Sequence, residues 1–240
     1  MNRPPVASDL GAYPSPHLAV DIVLFTIEDR DLKVLTIERS SEPFAGCQVL
    51  PGDFVHPGED LDATARRVLA EKAGLADLTV EQLYTFSAPD RDPRGWVVST
   101  AYLALVAYER LYAAAGEIDG LRLPQITADA DGDAVQLEDV GEPVRTGFDH
   151  GAIIHTALVR LRGKLEWSSL PFDLLPERFT LLELQNVHET ILGRALNKPH
   201  FRKKWHGKML PDGSHLEATG EFTSGRPHRP AEFYQLKAVQ

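Results

Sequence analysis

Residues 51–75 read PGDFVHPGEDLDATARRVLAEKAGL, and the fold is decided there. Asp60 stands before a run free of Gly and Pro, LDATARRVLAEKA, and Gly74 follows it. That pattern predicts a helix from about Asp60 to Ala73, capped at its start by a short polar side chain and closed by a left-handed glycine. Residues three and four apart are neighbours on a helix, so positions 68, 71 and 72 fall together. They are Val68, Glu71 and Lys72, one carboxylate beside one ammonium. The bland reading is an amphipathic surface helix without chemistry.

The spacing also resembles the Nudix box, G-x5-E-x7-R-E-(apolar)-x-E-E-x-G-(apolar). Glu59 takes the place of the first Glu, Arg67 of the Arg, Glu71 of the first Glu of the pair, and Gly74–Leu75 of the end. The departures are Asp53 for the opening Gly, Val68 for the Glu after Arg, and Lys72 for the last Glu. Mg²⁺ requires hard oxygen ligands in near-octahedral array, and in-line attack of water on a diphosphate needs the ion for charge neutralisation and water activation. With one carboxylate left on that face, no metal site and no catalytic residue is expected, and Mg²⁺ enters only if activity is retained. Lys72 either pairs with Glu71 or holds a phosphate as a point charge.

The rest of the chain bounds the setting. Its 240 residues, 43% of them apolar, suit one large domain or two ordinary ones. No run of about 18 apolar residues is present, so no membrane span is expected. The opening MNRPPVASDLGAYPSP is polar and proline-rich, reads as a loose arm over 1–16, and lacks a secretory apolar stretch. A single cysteine, Cys47, excludes an internal disulfide and fits a reducing cytoplasm. Charge is uneven. Residues 171–240 hold 10 Lys and Arg against 8 Asp and Glu, while residues 1–170 hold 15 against 27. Five of the nine histidines also lie in that last stretch. A change of sign between halves suggests two domains with different partners, the acidic one a poor match for nucleic acid.

The first part reads as mixed α/β. LAVDIVLFTI (18–27) and LKVLTIE (32–38) are β-branched strands joined by the turn EDRD, and residues 47–55 lead into the box. Strands are expected near 81–87 and 96–108, an acidic loop over 116–142, and a helix from about 148 to 165. In the loop YTFSAPDRDPRGWVVS (84–99), Arg91 and Arg94 either fork onto phosphate or carboxylate groups of a ligand, or pair as Arg91–Asp92 and Arg94–Asp90 and shape the turn.

The last part reads as a winged helix-turn-helix. Thr180 and Glu183 make a capping box for a helix over 180–193, with Leu181, Leu184, Val187, Ile191 and Leu192 on its core face. Asn197 caps a second helix, Lys198 to about Lys208, with Pro199 in its first turn. Phe201 and Trp205 would face inward, leaving cations in front for phosphates and base edges, as in a recognition helix. Two extended runs over 216–236 then flank TSGRPHRP, a wing whose Gly-Arg-Pro is similar to hooks that carry Arg into a narrow minor groove. The bland alternative is a basic solvated helix.

From HLAVDIVLFTI (17–27) through the box, YTFSAPDRDPRGWVVSTAYLAL (84–105), FDHGAIIHTALVRLRGKL (148–165) and FTLLELQNVHETILGRALNKPHFRKK (179–204) to GRPHRPAEFYQL (225–236), the chain resembles the NrtR-type transcriptional regulators. The resemblance implies an α/β Nudix-like mixed-sheet α/β/α domain at 17–168 and a small winged helix DNA-binding domain at 169–240. It implies a cytoplasmic homodimer that represses genes of NAD metabolism or a related pathway from a palindromic operator on double-stranded DNA. An ADP-ribose-like nucleotide in the Nudix cleft would modulate that binding, with no other cofactor. Expected effector contacts are Arg39, Glu71, Arg91 and Arg94; expected DNA contacts are Asn197, Lys198, His200, Arg202, Lys203, Lys204, Arg226, His228 and Arg229. Two competing readings are a Mg²⁺-dependent ADP-ribose or nucleotide-sugar pyrophosphatase with an accessory tail, and a binding module whose 197–208 segment contacts an acidic protein.

Overall fold

The long apolar strand predicted at 18–27 is the backbone of the first domain. The computed structural model describes residues 11, 13–115, 118, 120–128, 135–224 and 230–237. Strand β1 (His17–Glu28) turns into β2 (Asp31–Val34) through Asp29 and Arg30, at φ 51° and 71°. Two successive left-handed residues give the turn whose twist matches a two-residue hairpin. The predicted strand over 32–38 divides: after β2, β3 (Thr36–Glu38) leaves to join a small separate sheet with β4 (Gln48–Val49). β5 (Gly52–Phe54) pairs antiparallel with the start of β1, and α1 (Leu61–Ala73) follows.

Asp60 caps α1 by accepting from the Ala63 N–H at 2.7 Å, and Gly74 ends it at φ 68°. A side chain at Gly74 would meet the Ala114 carbonyl at 2.7 Å, so the cap is also a close approach. Next come β6 (Glu81–Phe86), β7 (Val97–Leu105) and α2 (Tyr108–Ala115). Residues 106–108, expected to continue the strand, instead turn into α2. β7 lies parallel to β1 over nine residues and antiparallel to β6.

The stretch 116–142, expected as an acidic loop, holds β8 (Leu121–Arg122), β9 (Gln125–Ala128) and β10 (Val135–Asp139). With β11 (Glu142–Pro143) they complete an eight-stranded sheet ordered β11-β10-β9-β2-β1-β7-β6, β5 branching from β1, while β8 joins β3. The physical reason is alternation: Ile126 and Leu137 are buried while their neighbours carry the polar side chains outward. Helix α3 (His150–Lys164) closes the domain.

Period-2 alternation on β1 sorts the core into two layers. Val20, Ile22 and Leu24 pack with Ala65, Val68 and Leu69 of α1, and Tyr102 of β7 anchors that helix by donating to Asp62 at 2.6 Å. Val23 and Phe25 face the other way, against Ile153, Ala157 and Leu161 of α3. The result is the expected α/β/α sandwich.

The second domain follows a 3-10 turn at Leu170–Leu174. Its elements are β12 (Phe179–Thr180), α4 (Leu181–Leu192), α5 (Lys198–Trp205), β13 (His215–Phe222) and β14 (Glu232–Lys237), the strands ordered β12-β14-β13. The capping box forms in both directions: Thr180 accepts from the Glu183 N–H at 3.2 Å, and the Thr180 N–H donates to the Glu183 carboxylate at 2.7 Å. The buried face of α4 is Leu184, Gln185, Val187, His188 and Ile191; Leu181 and Leu192 sit at its margin, half-buried. Packing runs without a break through the expected boundary at 168/169. Leu170, Leu174, Val187 and Ile191 belong to the same apolar cluster as α3, while Phe172, Phe179, Leu184, Phe201 and Trp205 form the second domain's own core.

Candidate functional site

The first site is a cleft of about 250 Å³ where β5, the loop 91–94, the end of α1 and the start of α3 converge. Gly52 makes it possible. A Cβ there would lie 2.3 Å from Asp21 Oδ1 and 2.9 Å from the Val20 carbonyl, so only glycine lets β5 lie this close to β1. At the cleft floor Asp21 accepts from Ser99 at 2.5 Å and from Arg91 at 3.4 Å. Arg91 also forks onto Asp149 at 2.7 and 2.9 Å. His150 Nδ1 accepts from the Leu50 N–H at 2.8 Å, and burial pushes its pKa down, so the ring is neutral and turns Nε2 toward Asp21 at 3.7 Å. This is a satisfied buried network that ties β1, β7 and α3 together.

The two arginines of the 84–99 loop do not form the pairs Arg91–Asp92 and Arg94–Asp90 that the turn reading expected. Arg91 is buried and pairs with Asp149 and Asp21 rather than with its neighbour Asp92. Arg94 pairs with Asp92 at 2.7 Å rather than with Asp90, and keeps its guanidinium over Phe148 and Phe54, 5.4 and 5.6 Å from the ring centroids. Arg39 covers the other approach to Phe148 at 5.1 Å while its Nε donates to the Pro43 carbonyl at 2.6 Å. Phe148, held at φ 53°, is thus framed by two cations at the mouth of the cleft.

The box residues divide. Arg67 binds Glu59 at 2.8 and 3.0 Å, Asp53 at 2.8 Å and the Phe54 carbonyl at 3.0 Å. The Arg67 hydrogen bond holds the Glu59 carboxyl down at about 2. Burial works to raise Asp53, but the same guanidinium and the Phe54 N–H outweigh it and keep that carboxyl below its usual range. Val68 lies fully inside the apolar core. Glu71, expected among the effector contacts, does not line the cleft: it is exposed and leans on Arg67 at 3.5 Å, because its neighbour Lys72 occupies the cleft-facing direction. Lys72 pairs with neither Glu71 nor any other carboxylate among the described residues. Among the described residues, no group of three His, Cys, Asp or Glu is gathered in one place. Four cations, Arg39, Lys72, Arg91 and Arg94, line the cleft beside Asp21, Asp53 and Asp92; Lys72 forms no close ion pair among the described residues, but its charge helps hold the Asp53 carboxyl down.

The second site is the outer face of α5. Asn197 caps it by accepting from the His200 N–H at 3.0 Å, and Phe201 and Trp205 bury the inner face. Lys198, His200, Arg202 and Lys203 are exposed. The helix ends at Trp205 rather than Lys208, since Gly207 turns left-handed at φ 70°. Lys204 differs from its neighbours: it pairs with Glu166, on the segment that leaves α3. Arg226, His228 and Arg229 lie outside the described residues; before and after them, the Thr223 N–H donates to the Ala231 carbonyl at 2.8 Å.

The network at Asp21, Asp149 and His150, and the ring of Phe148, escaped the sequence reading. A lone acid inside the apolar run LAVDIVLFTI was the available signal.

An α/β/α domain with a degenerate box, fused to a winged helix with a cationic second helix, defines a class of protein that couples a small-molecule cleft to DNA. The profile of the NUDIX domain matches residues 15–140, and that of the NrtR DNA-binding winged helix domain matches residues 171–236. The "ADPR responsive transcriptional repressor NtrR" of Acinetobacter baylyi is 35% identical over 229 residues, covering 93% of this chain and 83% of its own. An ADP-ribose pyrophosphatase of Methanocaldococcus jannaschii is 33% identical over 142 residues, 59% of this chain and 73% of its own. The crystal structure of Shewanella oneidensis NrtR with a 27mer DNA aligns at a TM-score of 0.74 and 34% identity, over 92% of this chain and 93% of that one. The chain belongs to the NrtR family of Nudix-related transcriptional regulators.

Proposed function

We propose that this protein is a DNA-binding transcriptional repressor of NAD metabolism or a related pathway, whose Nudix domain senses ADP-ribose without hydrolysing it. The observation that carries the reading is the pairing of faces in one chain. α5 exposes Lys198, Arg202 and Lys203 over a Phe201–Trp205 core, and in the Nudix cleft Lys72 stands where the box of a hydrolase has its last Glu, with Arg39, Arg91 and Arg94 around it. The α5 cations neutralise backbone phosphates and reach base edges. Arg226, His228 and Arg229 supply the remaining DNA contacts.

In the cleft, Lys72 and Arg39 take the diphosphate, and the framed Phe148 offers a ring face to the flat part of the nucleotide. Arg91 holds the floor rather than the ligand, and Arg94 closes the mouth. Because Lys72 supplies the charge that metal-bound carboxylates would otherwise organise, binding requires no Mg²⁺. The protein acts as a homodimer on half-sites about one DNA turn apart. Ligand binding shifts the dimer away from that spacing by favouring the conformation that binds it better. A DNA partner assigns the protein to the cytoplasm; no helix among the described residues is long and apolar enough to cross a membrane.

A mobility-shift titration on DNA upstream of its own and neighbouring genes, with and without ADP-ribose, tests the reading. A specific shift reversed by ADP-ribose supports it. A shift indifferent to ADP-ribose retains the repressor and removes the effector. The absence of any specific shift at moderate salt would overturn it. The kinship with a pyrophosphatase favours a second reading, residual hydrolysis; turnover of ADP-ribose with Mg²⁺ or Mn²⁺ that is lost in Glu71→Gln would establish it.

A further inference from the structure

A larger cavity than the Nudix cleft opens at the junction of the two domains. It measures about 550 Å³ and lies between the β1–β2 turn and β9 on one side and the C-terminal end of α4 on the other. Its floor is apolar, formed by Leu32, Ile126, Leu158 and Ile191, all buried. Its rim carries three arginines, Arg30, Arg162 and Arg194.

The charges at the rim are not balanced in the usual way. The two acids that line the cavity are already committed. Glu189 accepts from Gln185 and from the Leu196 N–H, both at 2.8 Å, and from Arg30 at 3.2 Å; Asp31 accepts from Gln125 at 2.9 Å. Arg162 is the reverse case. Its Nε donates to the Ile191 carbonyl at 2.9 Å, which caps α4, but its guanidinium faces no carboxylate among the described residues. It does so half-buried, where an unpaired guanidinium is costly. Gly193 leaves the approach to Arg162 open, since even a Cβ there would stand 4.0 Å from Nη2. Arg194 is exposed next to it and likewise forms no ion pair among the described residues. A concave site at a domain boundary, with an apolar floor and arginines on its rim, matches the general form of a ligand pocket, and arginine forks suit planar or tetrahedral oxyanions.

We propose that this junction cavity binds a small organic phosphate, its phosphate held by Arg162 and Arg194 and its body against the side lined by Leu32 and Ile126. The ligand touches both domains at once. It therefore favours one orientation of α4 relative to the sheet, and by linkage it changes DNA affinity by the factor by which DNA changes its own. The proposal is independent of the Nudix cleft reading, because none of these residues lines that cleft.

The test is calorimetric titration of the full-length protein with AMP, with inorganic phosphate as the control for the apolar contribution, repeated in the presence of ADP-ribose. Arg194→Glu is the main variant, since an exposed side chain without partners leaves the fold intact; Arg162→Lys is the second, keeping the charge and losing the fork. The expected result is AMP binding that persists with ADP-ribose present, falls at least tenfold in Arg194→Glu, falls less in Arg162→Lys, and exceeds binding of inorganic phosphate. Three results would each overturn the proposal: no AMP binding at millimolar concentration, AMP binding abolished by ADP-ribose and unmoved by Arg194→Glu, or equal binding of AMP and inorganic phosphate.

Discussion

Arg67 Nη1 lies 2.8 Å from the Asp53 carboxylate, an acid standing where the Nudix signature has glycine. The guanidinium that braces Glu59 thus carries a second acid, and the extra charge at position 53 is absorbed within the box instead of being presented to a metal. The box survives here as a structural clasp between β5 and α1.

That clasp predicts an acid limit to stability. Glu59 has a folded pKa of about 2 against an ordinary 4.5, so its stabilisation is complete above about 4.5 and is lost as pH falls toward 2. Thermal melts between pH 6 and pH 3 should show the loss. In Arg67→Met the melting temperature is lower at pH 6, and the difference from the native chain narrows as pH falls. A constant difference across that range would reject the assignment.

Lys72 predicts metal-independent recognition. ADP-ribose affinity should be the same in EDTA as in Mg²⁺, and Lys72→Glu should weaken it by about tenfold or more, the equivalent of about 1.4 kcal/mol. The side chain is exposed, so the melting temperature should not move. Binding that disappears in EDTA would show that a cation still mediates contact with the diphosphate.

On the DNA face, Arg202→Ala and Lys203→Ala should each weaken operator binding and lower the salt slope by about one. Lys204→Ala should do less, because Lys204 is engaged with Glu166. Arg226→Ala, on the wing, should weaken binding most on A·T-rich flanks. Slopes measured by anisotropy between low and moderate salt separate these cases, and equal effects at 202, 203 and 204 would argue against the assigned face.

The junction carries its own pH dependence. His188 is buried with Nδ1 2.8 Å from the Leu184 carbonyl and Nε2 3.0 Å from the Leu165 carbonyl, and its ring meets Phe201 and Trp205 edge-on. Burial drives its pKa below the ordinary 6.5 despite both carbonyls. A depressed histidine contributes stability above about 6.5 that is lost as pH falls further, since the unfolded chain then takes up the proton first. His188→Gln should flatten the stability profile below that pH, and an unchanged profile would locate the dependence elsewhere. Trp205→Ala removes the largest ring of the same cluster and should cost about 3–5 kcal/mol in denaturant unfolding.

Much of this was readable before any coordinates. The helix after Asp60, the capping box at Thr180 and Glu183, and the inward pair Phe201 and Trp205 are local patterns, set by capping chemistry and side-chain period within a dozen residues. The departures at Val68 and Lys72 are equally local, and the fold buries Val68 in the core and sets Lys72 at the cleft. The reading failed where one position depends on a distant one. The strands inside 116–142 were hidden because segments of two to five residues become strands only by pairing, β9 with β2, β8 with β3 and β10 with β9. The ends of the second helix and of β7 moved because a left-handed glycine and the packing of α2 decide them.

The sequence by itself determined the helix of the box with its Asp60 and Gly74 caps, the Thr180–Glu183 capping box, the inward pair Phe201 and Trp205, and the family to which the chain belongs, since those follow from order and spacing along the chain. Tertiary structure alone decided the partners of the charges. Arg91 went to Asp149, 58 positions away, and to Asp21, 70 positions away, instead of to its neighbour. Arg162 was left at an interdomain cavity with a carbonyl and, among the described residues, no carboxylate. Ion pairing depends on distance and burial in the folded molecule, and the chain brings together acids and arginines that its order keeps apart.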